Sequence, residues 1–159
     1  LGDSLLDFMS KEEIDNNTID LYNYIPNNIW LSVAYLPKLT KTYDLIQITI
    51  KRNDNKYIIY GIGGIITNID MKDCYQMHED VDVMIDEELG NPYKEGPRTI
   101  THPADSSGMS KVLQITYEGD NGSTINNECY NWSKNVSYID SFSVNYLSKE
   151  FGDFLNSAL

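Results

Sequence analysis

Lys111-Val-Leu-Gln-Ile-Thr-Tyr-Glu118, then Asp120-Asn121-Gly122, then Ser123-Thr-Ile-Asn-Asn-Glu-Cys-Tyr-Asn-Trp132 is the stretch on which the fold turns. Two strand-length runs rich in β-branched and aromatic residues flank a turn in which Asn-Gly accepts the positive φ of a tight hairpin. A second hairpin precedes it. Tyr43 to Lys51 alternates, with Ile46, Ile48 and Ile50 on one side and Gln47, Thr49 and Lys51 on the other; Asp54-Asn55 turns the chain, and Lys56 to Thr67 returns. The two hairpins share a pattern, Leu45-Ile-Gln-Ile-Thr-Ile against Val112-Leu-Gln-Ile-Thr-Tyr. Chance likeness of two antiparallel hairpins accounts for this more simply than an internal duplication. Gly61, Gly63 and Gly64 interrupt the returning strand and mark either a bulge, the plainer reading, or a close approach of another backbone or ligand.

Outward from the hairpins, Trp30 to Leu36 and Tyr138 to Leu147 read as further strands. Between them Asp73 to Leu89 places Cys74, Met77, Val81, Met84, Ile85 and Leu89 at helical spacing, with Asp70 or Asp73 to cap the start and Gly90 to close the end. The acidic residues from Glu79 to Glu88 read as its solvated face, since the Asp-x-Asp-x-Asp-Gly loop of a calcium site is missing. Asn91 to Gly108, with Pro92, Pro97 and Pro103, reads as a loop holding a short strand around Arg98 to Thr101. Residues 2 to 17 read as short helical turns, with Ser4–Asp7 and Ser10–Glu13 at capping-box spacing, broken by Asn16, Asn17 and the Asn23–Asn28 region with Pro26. Ser148 caps a last helix, and Leu147, Phe151, Phe154, Leu155 and Ala158 share a face. The expectation is a single α+β domain over residues 1–159. It comprises an antiparallel sheet of about five to seven strands with helices on one face: an N-terminal helical segment, a central amphipathic helix and a C-terminal helix.

At 159 residues the chain can bury a sizeable core, and no apolar run reaches the roughly 18 residues of a membrane helix. Twelve Lys and Arg against 24 Asp and Glu give a net charge of −12. That field disfavours nucleic acid and anionic membrane surfaces, whose binding needs basic patches; the longest basic stretch, Lys38 to Lys41, holds two cations. No cofactor or metal motif is present. Cys74 and Cys129 lack both the C-x-x-C spacing and the His partners of a zinc site. They read as one disulfide in an exported protein or as two buried thiols in a cytosolic one; a helix start and a strand suit a staple. A chain beginning at Leu1 reads as trimmed or processed.

The residues best suited to a site lie in Arg98-Thr-Ile-Thr-His-Pro-Ala-Asp-Ser-Ser-Gly-Met-Ser110, which gathers Arg98, His102, Asp105, Ser106, Ser107 and Ser110. Loops of this kind carry binding groups on a rigid scaffold. The plainer account is that Asp and Ser here bond their own backbone as Asx and Ser turns. Arg98 and His102 would suit an anionic or carbonyl group. Twelve Tyr and two Trp, clustered at Tyr22, Tyr24, Trp30 and Tyr35 and again at Tyr117, Tyr130, Trp132 and Tyr138, suit sugar or protein contacts as well as half-buried strands.

Gly2-Asp3-Ser4-Leu5 resembles the block that names the GDSL esterases and lipases, in which the Ser is the nucleophile. The resemblance ends there: the family's Asp-x-x-His near the C-terminus has no counterpart, since Tyr75 and Thr99 stand three residues before the only histidines, His78 and His102. A capping role for Ser4 explains the same residues. Gly2-Asp-Ser-Leu-Leu-Asp7, Cys74-Tyr75, His102-Pro-Ala-Asp-x-Ser-Gly-x-Ser110 and Glu128-Cys-Tyr130 resemble segments of uncharacterised exported proteins of AT-rich marine alphaproteobacteria. That resemblance implies a cleaved signal peptide and a Cys74–Cys129 pair, and no activity. The sequence thus leads to a periplasmic or secreted, non-catalytic module. Its partner is a small molecule, peptide or glycan or, alternatively, a protein joined in an assembly; a GDSL-like hydrolase is the outlying alternative.

Overall fold

The computed structural model describes residues 1–21, 28–36, 42–103 and 105–158, with side chains through Ser157. Tyr22, Tyr24, Pro26 and the Lys38–Lys41 stretch lie outside the described residues. A 3-10 turn at Leu5–Asp7 and helix α1 (Lys11–Asn17) lead into strands β1 (Thr18–Ile19), β2 (Trp30–Tyr35), β3 (Leu45–Lys51) and β4 (Gly61–Thr67). Helix α2 (Met71–Leu89) follows, then β5 (Lys94–Thr101), β6 (Lys111–Glu118), β7 (Thr124–Asn131), β8 (Ser141–Leu147) and α3 (Lys149–Ala158). The strands form one antiparallel sheet in the order β1-β2-β3-β4-β8-β7-β6-β5. Among the described residues eight strands therefore stand where about five to seven were expected. The two-residue β1 is too short to carry a period, and β5 runs the full width of a segment that its Gly and Pro residues made look like a loop.

Local chemistry sets the element ends. Ser10 and Glu13 close a capping box, and Asp70 Oδ1 accepts from Lys72 N at 2.8 Å to start α2. Gly90, at φ 70°, ends α2 in the left-handed conformation that glycine tolerates. Ser148 Oγ accepts from Phe151 N at 3.3 Å at the start of α3. Ser4 caps the 3-10 turn by accepting from Leu6 N, and its hydroxyl donates to Lys56 O at 2.7 Å.

Strand alternation assigns the side chains to two faces. Val33, Ile48, Ile50, Leu113, Ile115, Tyr117, Cys129 and Phe142 share the apolar face. There Leu5 and Ile14 pack over β2 and β3, while α2 brings Cys74 and Ile85 down on the β6–β8 region. Cys74 and Cys129 lie at disulfide distance, Sγ–Sγ 2.02 Å, with Phe142 beside them. The helices do not all share this face, contrary to expectation. Trp30, Gly61 and Leu147 have the opposite parity, and Phe151 of α3 packs against Trp30 and Leu147 on the far side of the sheet.

The glycines of β4 are sites of close approach, not a bulge. The pairing of β4 runs without a register shift on both sides. A Cβ at Gly61 would meet Phe151, one at Gly63 would stand 2.1 Å from Asn145 Oδ1, and one at Gly64 would enter the Tyr43 ring. The register shift lies instead in β5, between Glu95 and Arg98, where Gly96 has φ 114°. Internal duplication gains no support either. α2 and α3, which follow the two four-strand meanders, lie on opposite faces, so a rotation superposing the meanders does not superpose the helices. Among the described residues no helix is long and apolar enough to cross a membrane.

Candidate functional site

Away from α3, the second face of the sheet carries two rows of mostly polar side chains, with Leu45, Ile65, Ile100 and the buried Val112 among them. The register places Arg98, Gln114, Glu128 and Ser143 in one row across β5, β6, β7 and β8. Thr116, Asn126, Asn145, Gly63 and Gln47 form the next row toward α3. Such side chains alternate with the core residues of the same strands, so every apolar residue delivered to one face leaves a neighbour for the other.

Glu128 sits at the centre and is 7% exposed. Gln114 Nε2 donates to its Oε1 at 2.8 Å; Tyr130 Oη donates to Oε2 at 2.8 Å and Asn145 Nδ2 to the same oxygen at 3.2 Å. Burial pushes its carboxyl pKa up, against the hydrogen bonds from Tyr130, Gln114, Asn145 and Ser143, which favour the anion. Asn145 also donates to Ser143 Oγ at 2.9 Å. Arg98 reaches Gln114 Oε1 at 3.4 Å and keeps an exposed guanidinium.

Beyond Tyr130 the face ends in an aromatic cluster. The rings of His102 and Trp132 are 4.4 Å apart, those of Trp132 and Tyr138 also 4.4 Å, and Tyr130 stacks parallel to Trp132 at 5.8 Å. Burial pushes the His102 pKa below the ordinary imidazole range, against the attraction of Asp105. Trp132 is held by its backbone N–H, which donates to Asp140 Oδ1 at 2.7 Å. Tyr138 is 59% exposed and Met109 and Ile139 lie open at the same end.

The sequence-predicted residues separate here. Arg98 and His102 reach the polar face. Asp105 is buried and spends its carboxylate inside its own loop: it accepts from Ser107 N and Oγ at 2.9 and 2.6 Å and from Ser110 N and Oγ at the same distances. The Ser107 and Ser110 hydroxyls hold its pKa far below the usual carboxylate range. Ser110 Oγ in turn accepts from Ser133 N at 3.0 Å, tying this loop to the one that carries Tyr138. Asp105 and Ser107 therefore shape the loop that positions His102, and Ser106 is exposed beside them. Sequence reasoning missed Glu128, Gln114 and Asn145. The signal for Glu128 is the alternation Asn126-x-Glu128-x-Tyr130-x-Trp132, which acquires meaning once the face it points to is seen to lack a covering helix; Gln114 and Asn145 reach it only through the pairing of β6 and β8 with β7.

The other candidates resolve differently. Asp82 and Asp86 are not part of a fully solvated acidic face: Lys94 Nζ donates to Asp82 Oδ1 at 2.6 Å and to Asp86 Oδ2 at 2.5 Å, and Tyr117 Oη donates to Asp82 Oδ1 at 2.5 Å. Among the described residues no group of three or more His, Cys, Asp or Glu is placed to hold a metal. A cleft of about 410 Å³ between α1 and the β3–β4 turn is lined by residues such as Lys11, Asp15, Asp54 and Tyr57. Lys11 is paired with Asp15 and Asp54 is bonded to its own turn, so their hydrogen bonding serves the fold. No protein-family model, curated protein or solved structure matches the chain.

Proposed function

We propose that the chain is an exported, non-catalytic binding domain whose ligand lies on the polar face of the sheet, between α3 and the His102–Trp132–Tyr138 cluster. The observation that carries this is the continuity of the face. Glu128 is held by Gln114, Tyr130 and Asn145, and Tyr130 stacks on Trp132, so polar groups and half-exposed rings form one surface. Export is supported by the Cys74–Cys129 pair at disulfide distance, which suits an oxidising compartment. Ser4, the residue behind the hydrolase alternative, has its hydroxyl engaged at the 3-10 turn and Lys56.

A fragment screen read by amide and indole NMR shifts tests the proposal. Binders of any chemistry should move His102, Gln114, Asn126, Trp132 and Asn145 together; shifts confined to other regions would refute the site. A protein partner is the second reading, favoured by the exposed Met109, Tyr138 and Ile139 beside the cluster. Self-association or co-sedimentation weakened by Tyr138→Ser and indifferent to Asn126→Ala would favour it.

A further inference from the structure

We propose that the ligand of this face is a neutral oligosaccharide, its ring faces against Trp132 and Tyr138 and its hydroxyls on Gln114, Thr116, Asn126 and Asn145. The inference rests on reading the polar face as the binding site, and it adds the class of ligand.

Three features lead to that class. The first is the pairing of chemistries: a pyranose presents flat C–H faces and a rim of hydroxyls, which call for half-exposed aromatic rings beside neutral groups that both donate and accept. Trp132 and Tyr138 supply the rings. The amides and hydroxyls of the two rows supply the neutral groups, and among the described residues the side chains of Asn126 and Thr116 have no hydrogen-bond partner.

The second is charge. Arg98, paired with Glu95 at 3.6 Å, is the one cation that the strand register places on the open part of this face, and Lys134 lies in the exposed loop after Trp132. Lys51 lies under α3 against Glu150, and Lys111 bonds Thr101 Oγ1 and Gly108 O on the other side of its strand. A phosphorylated or polyanionic ligand would meet one guanidinium within a net charge of −12. The third is length. Asn126, Glu128 and Tyr130 point the same way along β7, Trp132 just past its end stacks on Tyr130, and at about 3.3 Å per residue the stretch from 126 to 132 spans roughly 20 Å, the reach of a short oligosaccharide.

The test is a printed array of neutral and acidic glycans. Cello-, laminari-, malto- and chito-oligosaccharides and an oligogalacturonate are then titrated by tryptophan fluorescence. Trp30 is buried under α3, so ligand contact reports through Trp132. At least one neutral series should bind, with oligogalacturonate weaker by about tenfold or more. Trp132→Ala, which removes the fluorescent reporter and is therefore titrated by isothermal titration calorimetry alongside the parent, should weaken binding by about tenfold or more. Asn126→Ala, which removes a partly exposed amide without touching the core, should weaken it several-fold while the melting temperature holds. Binding unchanged in both variants would overturn the proposal. So would an array without neutral binders on a protein whose polar face still responds to other fragments, in which case the site stands and its ligand class is wrong. A face that responds to nothing removes both.

Discussion

Asn127 and Glu128 are neighbours in β7 and belong to different environments. Asn127 faces α2, is fully buried, and donates to His78 O at 2.8 Å. Among the described residues its Oδ1 and the His78 Nε2 have no hydrogen-bond partner. Glu128 faces away and is met by three side-chain donors. The apolar face therefore owes its cohesion to packing and tolerates incompletely satisfied polar atoms, each a cost of about 1–3 kcal/mol. On the second face, beyond the part that α3 covers, Glu128 is satisfied by its neighbours while Asn126 and Thr116 stay partly exposed. One face is built to hold the domain together and the other to present groups, which is the division a binding surface on a rigid scaffold requires.

The largest expected effect breaks the packed side. Phe142 is fully buried beneath α2, and Phe142→Ala should cost about 3–5 kcal/mol in urea unfolding. A loss below 1 kcal/mol would deny the core its place. Next, reduction of the Cys74–Cys129 pair, separated by 55 residues, should cost about 4 kcal/mol by releasing the unfolded chain from a cross-link. Alkylation of denatured, unreduced protein should add no thiol label; two labels would remove both the cross-link and the main support for export.

Adjacent glycines sharpen the contrast. Gly64→Ala drives a methyl into the Tyr43 ring, with contacts of 2.7 to 2.8 Å, and should destabilise by about 2 kcal/mol. Gly63→Ala displaces the Asn145 amide and should cost about 1 kcal/mol, while loosening the contact of Asn145 with Glu128. Equal costs, measured side by side in denaturant, would argue that the two faces are packed alike.

The smallest effects concern pH and have opposite signs. Burial lowers the His78 pKa against the attraction of Asp82 and Glu79, so the folded state binds its proton less readily than the unfolded one. That contribution is present above about pH 6.5 and is lost as pH falls through the folded value. Glu128, with its pKa raised, contributes stability that is complete below about pH 4.3 and lost as pH rises through the folded value. Relative to the parent, His78→Gln should therefore gain stability on acidification below about 6.5 and Glu128→Gln on alkalinisation above about 4.3. Denaturation midpoints across pH 4 to 8 (about the range in which these groups exchange protons) read both. Parallel profiles for the two variants would show that the faces do not differ electrostatically.

Much of the fold was legible because period and turn chemistry are local. Lys111–Glu118 is a strand with the predicted bounds. The central helix is longer than its reading by two residues at its start, where Asp70 caps it in place of Asp73. Gln47 and Gln114, the shared residue of the two hairpin motifs, both point to the polar face, so the likeness of the motifs reflects the same alternation in two places. The strand β5 was hidden because Gly96 and Pro97 are turn residues by type, and only pairing with β6 across a register shift makes them part of a sheet edge.

The candidate site was legible at its margin. Arg98 and His102 announced themselves as cation and imidazole in a punctuated loop, whereas Asp105 looked the same and turned out to be spent on Ser107 and Ser110. Glu128 looked like an ordinary strand residue beside a cysteine.

The sequence by itself determined the alternation of its strands, the caps of its helices, the turns between them and the excess of negative charge, because each depends on residues close along the chain or on their sum. The tertiary structure decided which face each helix covers, which cysteines meet and which side chains surround Glu128. Those depend on strands up to tens of residues apart falling into one register, and a shift by one residue would send every group on them to the other face.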